Sequence, residues 1–249
     1  MATFKQKLAG EARLTAHICT IPSPAVTQAM AAGGADAVII DMEHGAIDHA
    51  QAHAMIAAVL GASCAPLVRV PSIDETAVKR VLDLGAEGIC FPMVRTADDA
   101  RRAVASLRYP PEGTRGFGPF LAHLGFGTTL LGYPAEAARR MVCMLLIETA
   151  EAVDNIDAIL AVEGIDIIIP AQFDLSTSLG LQGQFDHPDF IAALEKVERA
   201  ADRAGIPRGA VALSEAQARA AFGRGNRLIA GFDILWLRGI AADAQGWCG

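Results

Sequence analysis

Residues 35–71 read ADAVIIDMEHGAIDHAQAHAMIAAVLGASCAPLVRVP and contain one complete strand, helix and strand unit. The two short runs at 35–41 and 65–70 are mostly apolar at consecutive positions, which is typical of parallel strands buried on both faces. The Ala-rich stretch 49–63 between them has helical spacing. A helical crossover of this kind predicts parallel pairing of the two strands with a right-handed connection.

The same alternation continues along the chain. The predicted strands are LTAHICT (14–20), ADAVIID (35–41), APLVRV (65–70), GICFP (88–92), VCMLLIE (142–148), IDIIIP (165–170), PRGAVAL (207–213) and FDILWL (232–237). The predicted helices are 25–34, 49–63, 74–86, 96–108, 152–164, 187–205 and 214–225. Many of these helical segments end in glycine, as helix C-caps do. Eight strands that alternate with helices predict an α/β protein with the (β/α)₈ TIM barrel fold.

The length agrees with one barrel. A chain of 249 residues has the usual size of a (β/α)₈ barrel, so we expect a single domain over residues 1–249. The main alternative is an open, doubly wound sheet, in which a G-x-G-x-x-G turn after the first strand commonly binds a dinucleotide. The corresponding turn here, ICTIPSPAV at 18–26, lacks that pattern, which favours the barrel.

One connection is longer than the others. Residues 108–140, between the fourth and fifth predicted strands, are rich in glycine, proline and aromatic residues. Ordinary connections in such proteins have about two to six residues. A long ordered loop at the open end of a barrel commonly helps to build a substrate pocket, and a flexible surface excursion is the other interpretation.

Composition and charge argue against several classes of protein. Hydrophobic residues make up 52% of the chain, but no apolar run approaches the roughly 18 residues of a membrane helix, so we expect a soluble protein. The first residues, MATFKQKLAGEARL, are charged throughout and lack the pattern of a secretory signal, which predicts a cytoplasmic location. The net charge of −7 and the dispersed Lys and Arg residues disfavour nucleic acid as a partner.

The cysteines support the same location. There are five of them, scattered without a C-x-x-C spacing: Cys19, Cys64, Cys90, Cys143 and Cys248. We interpret them as structural thiols of a reducing compartment, rather than as zinc ligands or disulfides.

Two acidic residues follow neighbouring predicted strands. Glu148 ends the fifth apolar run, and Asp174 comes shortly after the sixth. A carboxylate buried in the mouth of a barrel must be paired, protonated or bound to a metal, and two of them one unit apart can share one ion. With oxygen ligands alone the ion would be Mg²⁺ or Mn²⁺, and Co²⁺ is also compatible. The alternative is structural, with both residues capping the helix or turn that follows.

Arg69 and His44 also follow predicted strands. Arg69 remains charged and needs an anion, which would be a developing enolate oxygen, a substrate carboxylate, or the side chain of Asp41 or Glu43 on the neighbouring strand end. Histidine side chains ordinarily titrate near a pKa of about 6.5, so a histidine at the position of His44 can accept a proton from the carbon next to a carbonyl group. A purely structural histidine is the other interpretation of His44.

Six motifs follow one another along the chain: DMEHG (41–45), PLVRVPS (66–72), LDLGAEGICFPMV (82–94), YPPEGTRGFGP (109–119), IETAEAVDNIDAI (147–159) and DLSTSLG (174–180). Together they resemble the HpcH/HpaI family of metal-dependent, class II pyruvate aldolases. The resemblance covers nearly the whole chain. It implies a (β/α)₈ barrel, usually a hexamer, in which a divalent cation holds pyruvate or a related 2-oxo acid as its enolate, which adds reversibly to an aldehyde.

The resemblance also implies roles for individual residues. Glu148 and Asp174 would be the metal ligands, His44 the base, and Arg69 the residue that stabilises the enolate. Asp83, in the LDLGA motif, would orient His44 and raise its basicity. Without the resemblance, Asp83 would be interpreted as a solvated charge at the end of a helix.

Two positions depart from the family pattern. Members usually carry a substrate-binding glutamine just before the metal-binding glutamate, and Ile147 occupies that place. The usual G-P-x-D-L reads AQFDL at 171–175, where the N–H group of Phe173 can still donate to the substrate carboxylate and Gln172 offers an amide. The changes predict a donor such as hydroxypyruvate or another short 2-oxo acid. The predicted substrate-binding residues are Arg69, Ile147, Gln172, Phe173 and Asp174.

Three functions are compatible with these observations. The favoured one is a carbon–carbon lyase that uses a divalent cation, a 2-oxo acid and an aldehyde. The second is a related metal-dependent barrel that acts on acyl-CoA or phosphoenolpyruvate-type substrates, although no basic phosphate-binding loop is evident. The third is a barrel without catalysis that serves as a binding subunit.

Overall fold

The computed structural model describes residues 2–248. In this range the chain forms eight strands: β1 Leu14–Cys19, β2 Ala37–Asp41, β3 Ala65–Arg69, β4 Gly88–Phe91, β5 Val142–Ile147, β6 Ile167–Pro170, β7 Gly209–Val211 and β8 Leu228–Ala230. The same range contains thirteen helices: α1 Phe4–Ala9, α2 Pro24–Ala32, α3 His49–Ala57, α4 Glu75–Asp83, α5 Ala97–Leu107, α6 Ala122–Gly125, α7 Tyr133–Arg140, α8 Ala150–Asp154, α9 Ile156–Leu160, α10 Gln172–Ser178, α11 Pro188–Ala204, α12 Glu215–Gly223 and α13 Asp233–Gly246.

The strands form a nearly closed parallel ring. Their order is β6-β5-β4-β3-β2-β1-β8-β7, and each neighbouring pair is parallel. A parallel bridge between Ile168 and Arg208 links β6 to the residues before β7, and the N–H group of Ile168 donates to the carbonyl of Pro207 over 3.1 Å. The predicted TIM barrel is confirmed.

Side chains alternate between two apolar layers. Along β2, Ala37 and Ile39 belong to the cluster that fills the ring, whereas Val38 and Ile40 belong to the cluster between the strands and the helices. Both layers exclude solvent, since these four residues are at most 1% exposed. This arrangement explains why the strands are apolar at consecutive positions, because each strand is covered on both faces.

The eighth strand differs from the prediction. β8 is Leu228–Ala230, whereas the predicted strand FDILWL at 232–237 lies largely in α13. A short apolar run has no periodicity that separates a strand from a helix, and this accounts for the error. The carboxylate of Asp233 accepts hydrogen bonds from the backbone N–H groups of Thr20 and Ile21 over 3.0 and 2.9 Å, which ties the start of α13 to the turn after β1.

The helix α13 carries an uncovered apolar face. Its side chains of Ile234, Leu237 and Ile240, and that of Trp247 directly after it, are 47–80% exposed. Asp233 is the buried residue of this helix. The helix therefore projects from the barrel instead of packing along it.

The long segment 108–140 lies at the amino ends of the strands. Helix α5 starts after β4 and runs back, so the connection from α5 to β5 crosses the end opposite the mouth. The hydroxyl group of Tyr133 lies 3.5 Å from the carbonyl of Leu82, and Arg140 Nη1 lies 3.7 Å from Glu87 Oε1, directly before β4. The segment includes α6 and α7 and does not line the open end of its own barrel, so within one chain it does not build the pocket at the mouth.

The remaining helices differ from the prediction in detail. The segment 152–164 was predicted as one helix, but it breaks at Asn155 into α8 and α9. The sequence did not predict α10, which follows β6 at once. Between residues 2 and 248, no helix combines the length and the apolar character needed to cross a bilayer.

The cysteines agree with their interpretation as structural thiols. Cys19, Cys64, Cys90 and Cys143 are free and buried, and Cys248 is free and exposed. Burial raises the pKa of the Cys64 thiol to about 12, so this group stays protonated at neutral pH. The four buried cysteines therefore act as small apolar side chains.

Candidate active site

An ion pair connects two strand ends at the mouth of the barrel. Asp41 ends β2 and Arg69 ends β3, and they are direct partners in the strand register. Arg69 Nε donates to Asp41 Oδ1 over 2.8 Å, and Nη2 donates to Oδ2 over 2.6 Å. Burial alone would lower the pKa of Arg69, but the hydrogen bonds and charge of Asp41 outweigh it and raise the pKa. The guanidinium is therefore fixed as a permanent cation.

Glu43 lies between Arg69 and His44. Its Oε2 atom is 3.4 Å from Arg69 Nε and 3.6 Å from His44 Nε2. This oxygen is buried and has no hydrogen-bond partner among residues 2–248. Burial is the main cause that raises the pKa of Glu43, and the charges of Asp41 and Asp174 add to it, opposed by Arg69 and His44. The sequence named Glu43 only as a salt-bridge partner, although its place inside DMEHG was a signal for the site.

His44 lies in the turn that follows β2. The side chain is 63% exposed, and its backbone N–H group donates to Asp41 Oδ1 over 3.2 Å. The backbone bond fixes the turn, while the imidazole faces the solvent side of the mouth. The side-chain contact of His44 is the one to Glu43 Oε2, at 3.6 Å from Nε2.

Glu148 directly follows β5 and is 4% exposed. Its Oε1 atom accepts a hydrogen bond from the backbone N–H group of Met93. Burial raises the pKa of Glu148 to about 7, and the charges of Glu43 and Asp174 add to this effect. Met93 has φ of +55°, a conformation that costs free energy for a side chain of this size. The backbone is thus held in a strained conformation where it binds a buried carboxylate.

Asp174 is placed by a helix rather than by a strand end. It lies in the first turn of α10, close behind the end of β6 at Pro170. A cavity of about 40 Å³ lies beside it. The polar side chains in its lining are those of Arg69, Gln172 and Asp174, and Phe173 also lines it. The first N–H groups of a helix have no partner inside the helix, so those of α10 are available to a ligand.

Ile147 does not face this cavity. Its side chain is 0% exposed and belongs to the apolar layer between strands and helices. Successive side chains of a strand point to opposite faces, so Leu146 faces the ring instead, and Leu146 lines the cavity. In this structure the side chain of Ile147 points away from the cavity, and Leu146 is the neighbouring residue of β5 that lines it.

Asp83 is not near His44 within one chain. It is the last residue of α4, five residues before β4 begins, and therefore lies at the amino ends of the strands. Its carboxylate binds Arg115 of the long segment, with 2.9 Å between Asp83 Oδ1 and Arg115 Nη2. The mouth brings together Arg69, Glu148 and Asp174 with His44 at its edge, and Asp83 lies at the opposite end of the ring.

The mouth has an excess of acidic groups. Asp174 contributes to the raised pKa of both Glu43 and Glu148, which places the three carboxylates within electrostatic reach of one another. In the part of the chain that the structure describes, no three His, Cys, Asp or Glu side chains converge closely enough to form a metal site alone. The carboxylates are thus gathered but not in mutual contact.

Comparison with known proteins places this geometry in a family. The model of the HpcH/HpaI aldolase/citrate lyase family matches residues 20–237. A 5-keto-4-deoxy-D-glucarate aldolase of Shigella boydii serotype 18 is 36% identical over 216 residues, which cover 87% of this chain and 84% of that protein. The crystal structure of an HpcH/HpaI aldolase from Desulfitobacterium hafniense DCB-2 has a TM-score of 0.92 and 32% identity, covering 100% of this chain and 97% of that one. The crystal structure of the citrate synthase SbnG has a TM-score of 0.87 and 27% identity, covering 98% and 97%.

The chain belongs to the HpcH/HpaI aldolase/citrate lyase family. It is an enzyme of the carbon–carbon lyase class, as the sequence predicted.

Proposed function

We propose that the enzyme forms and cleaves a carbon–carbon bond between the enolate of pyruvate, or a related short 2-oxo acid, and an aldehyde, with a divalent cation bound by Glu148 and Asp174. The observation that supports this most is the state of Glu148. A carboxylate that is 4% exposed and faces two further carboxylates is disfavoured as an anion unless a positive charge accompanies it.

The side chains of the mouth fit a hard divalent cation. The donors are carboxylate oxygens, which Mg²⁺ and Mn²⁺ prefer, and Co²⁺ is also compatible. Glu43 Oε2 is a buried oxygen without a hydrogen-bond partner in the described range, and it can accept from a water molecule bound to the cation. Glu148 and Asp174 would hold the cation, and water together with the 2-oxo acid would complete its ligand set.

The bound cation would polarise the keto group of the donor and so acidify the neighbouring carbon. Arg69, held rigid by Asp41, faces the same cavity and stabilises the negative charge that develops on the enolate oxygen. The N–H group of Phe173 at the start of α10 donates to the substrate carboxylate. His44 removes the proton, directly or through one water molecule.

We propose that Asp83 orients His44 from a second copy of the chain. In one copy these residues lie at opposite ends of the barrel, so only an assembly brings them together. The uncovered side chains of Phe120, Leu124 and Leu131 in the long segment are 65–84% exposed, and such a surface fits a subunit contact. Together with the exposed face of α13, this supports a homo-oligomer, and the family resemblance supports a hexamer.

The lining of the cavity suggests the substrate class. Leu146, Ile18 and Ile169 give it an apolar floor, which suits the methyl group of pyruvate, and Gln172 offers one amide to a hydroxylated donor such as hydroxypyruvate. The similarity to 5-keto-4-deoxy-D-glucarate aldolases supports a keto-deoxy sugar acid as the compound that is cleaved. We place the enzyme in the cytoplasm, where its free thiols stay reduced.

The test is exchange of the methyl protons of pyruvate with deuterium, followed by proton NMR. Exchange that needs Mg²⁺ or Mn²⁺ and stops with a chelator is expected of this lyase. Absence of exchange with pyruvate and with hydroxypyruvate, at saturating Mg²⁺, Mn²⁺ or Co²⁺, would contradict the proposal. In that case, binding of the donor without exchange would indicate a binding subunit.

A further inference from the structure

Arg115 is a buried cation far from the mouth. It lies in the long segment at the amino ends of the strands, and its side chain is 0% exposed. Nη2 donates to Asp83 Oδ1 over 2.9 Å and to the hydroxyl oxygen of Tyr133 over 3.2 Å. The guanidinium is thus attached to one carboxylate, and that carboxylate is 21% exposed.

The surroundings of Arg115 hold it in one orientation. Its Cζ atom lies 4.7 Å from the ring centre of Tyr109 and 5.2 Å from that of Tyr133. Aromatic faces attract a cation, and these two fix its position. Nε and Nη1 are buried and have no hydrogen-bond partner in the described part of the chain. A buried cation with two unpaired donors costs free energy, so stability alone does not account for it.

This arrangement fixes one oxygen of the Asp83 carboxylate. Its Oδ1 atom is bound to Arg115, while Oδ2 faces the backbone at Gly118, where an added Cβ atom would lie only 2.9 Å away. The carboxylate therefore has one oxygen fixed and a second oxygen that stays open at the surface because position 118 has no side chain.

We infer that Arg115 is a positioning residue, which fixes the Asp83 carboxylate so that Oδ2 accepts a hydrogen bond from His44 of a second copy. This inference rests on the proposed function, in which Asp83 orients the base. An exposed carboxylate at the end of a helix has several rotamers, and a base that is displaced by about 1 Å loses on the order of 10²-fold in rate. The buried guanidinium selects one rotamer before the two copies meet.

The inference is tested by deuterium exchange into pyruvate with the full-length, metal-loaded enzyme. Arg115→Met is expected to slow exchange at saturating pyruvate by about 10- to 100-fold, with the KM for pyruvate unchanged. Arg115→Lys keeps the charge and restores part of the rate. Arg139→Met is the matched control, because Arg139 is an exposed arginine of the same segment, 71% exposed and paired with Glu136, and its loss leaves the rate unchanged.

The decisive measurement repeats these substitutions in an Asp83→Asn background. If Arg115 acts through Asp83, Arg115→Met slows the Asp83→Asn enzyme no further, because coupled residues are not additive. An equal slowing in both backgrounds would overturn the inference and leave Arg115 a structural residue, while the proposed function stands. If Asp83→Asn itself exchanges at the wild-type rate, the pairing of Asp83 with His44 is wrong, and the inference fails with it.

A second variant covers the case in which Arg115→Met does not fold. Tyr133→Phe removes only the hydroxyl group that binds Arg115 over 3.2 Å. A smaller slowing, of about 2- to 5-fold, is expected with Asp83 present and none with Asp83→Asn. Slowing of the same size in both backgrounds would count against the inference. Circular dichroism and gel filtration of each variant verify that fold and assembly are intact.

Discussion

The two ends of the barrel carry different kinds of side chain. At the carboxyl ends of the strands, buried charged groups surround a small cavity, with Arg69 fixed by Asp41 and Glu148 facing Asp174. At the amino ends, a long segment exposes apolar side chains such as Leu124 and Leu131, and its Arg115 binds the Asp83 carboxylate. Under the proposed function, one end binds and activates a small acid, and the other has an exposed apolar surface of the kind found at subunit contacts.

Under the proposed function, this difference means that one copy of the chain holds two complementary parts of a site. The mouth holds His44, the proposed base, whose Nε2 atom lies 3.6 Å from Glu43 Oε2, beyond hydrogen-bond distance. The amino end has an oriented carboxylate without a base. The His44 side chain and the Asp83 carboxylate would form one site when the mouth of one copy meets the amino end of another, as in a closed ring of subunits.

The largest effect is expected for Glu148→Gln. The change keeps the shape but removes the charge that would bind the cation, so activity should fall on the order of 10⁴-fold at cation concentrations that saturate the wild type. Excess Mn²⁺ should restore part of it. Activity and cation affinity are measured by exchange and by isothermal titration calorimetry.

The matched control for this change lies at the other end of the barrel. Glu87→Gln alters a second carboxylate whose pKa burial raises, next to Arg140 at the amino end. It should leave cation affinity unchanged. If Glu148→Gln binds the cation as the wild type does, the mouth is not the metal site.

The next largest effect is expected for His44→Ala. Loss of a general base slows proton removal by about 10²- to 10⁴-fold. The cation should still bind, because His44 is an exposed residue at the edge of the mouth. Rates are compared by exchange, and cation binding by calorimetry. An unchanged exchange rate would remove His44 from the mechanism.

Mixing two damaged chains tests the comparison of the two ends directly. His44→Ala and Asp83→Asn are each slow alone, but co-expressed hybrids should contain intact His44 from one copy facing intact Asp83 from another. With random assembly about a quarter of the sites are complete, and exchange should recover to that share of the wild-type rate. Hybrids no faster than the mean of the two parents would show that the ends do not meet.

Much of the barrel and of its mouth was accessible from the sequence. Consecutive apolar residues identify buried strands, and in a parallel ring the ends of these strands meet at one place, which locates Arg69 and Glu148. Glu43 was missed because its side chain lies in a turn, where burial depends on the neighbouring strands. The place of residues 108–140 was also predictable in principle, since a connection from a helix to a strand always lies at the amino end.

A smaller effect is expected for pH. Burial and the charges of Glu43 and Asp174 raise the pKa of Glu148 to about 7 without a cation, so below this pH the cation must displace a proton. Its apparent affinity should fall about 10-fold for each pH unit below 7 and level off above it. Calorimetry between pH 5 and 8 measures this. An affinity independent of pH would indicate that Glu148 is not a ligand.

The same titration affects stability, with a definite sign. The folded enzyme without cation binds a proton on Glu148 more tightly than the unfolded chain does. This contribution to stability is complete below the ordinary pKa of a glutamate and is lost as the pH rises through about 7. The Tm of the cation-free enzyme should therefore fall between pH 5 and 8, and added Mn²⁺ should offset the fall. In Glu148→Gln, which has no such proton, that part of the fall should be absent.

The positions 146 and 147 give the smallest expected effects and separate the two faces of β5. The family resemblance suggested Ile147 as a substrate neighbour, but residues on one face of a strand are two apart, and Leu146 is the one that lines the cavity. Ile147→Val removes one methylene group from the layer outside the ring, so it should cost about 1 kcal/mol of unfolding free energy and leave the KM for pyruvate unchanged. Leu146→Val removes the same group from the cavity lining, and it should change the KM by about 2- to 5-fold because the floor under the substrate is altered. Denaturant unfolding measures the loss of unfolding free energy in both variants, and steady-state kinetics measures their KM for pyruvate. A change in KM for Ile147→Val alone would reverse the assignment of the two faces of β5.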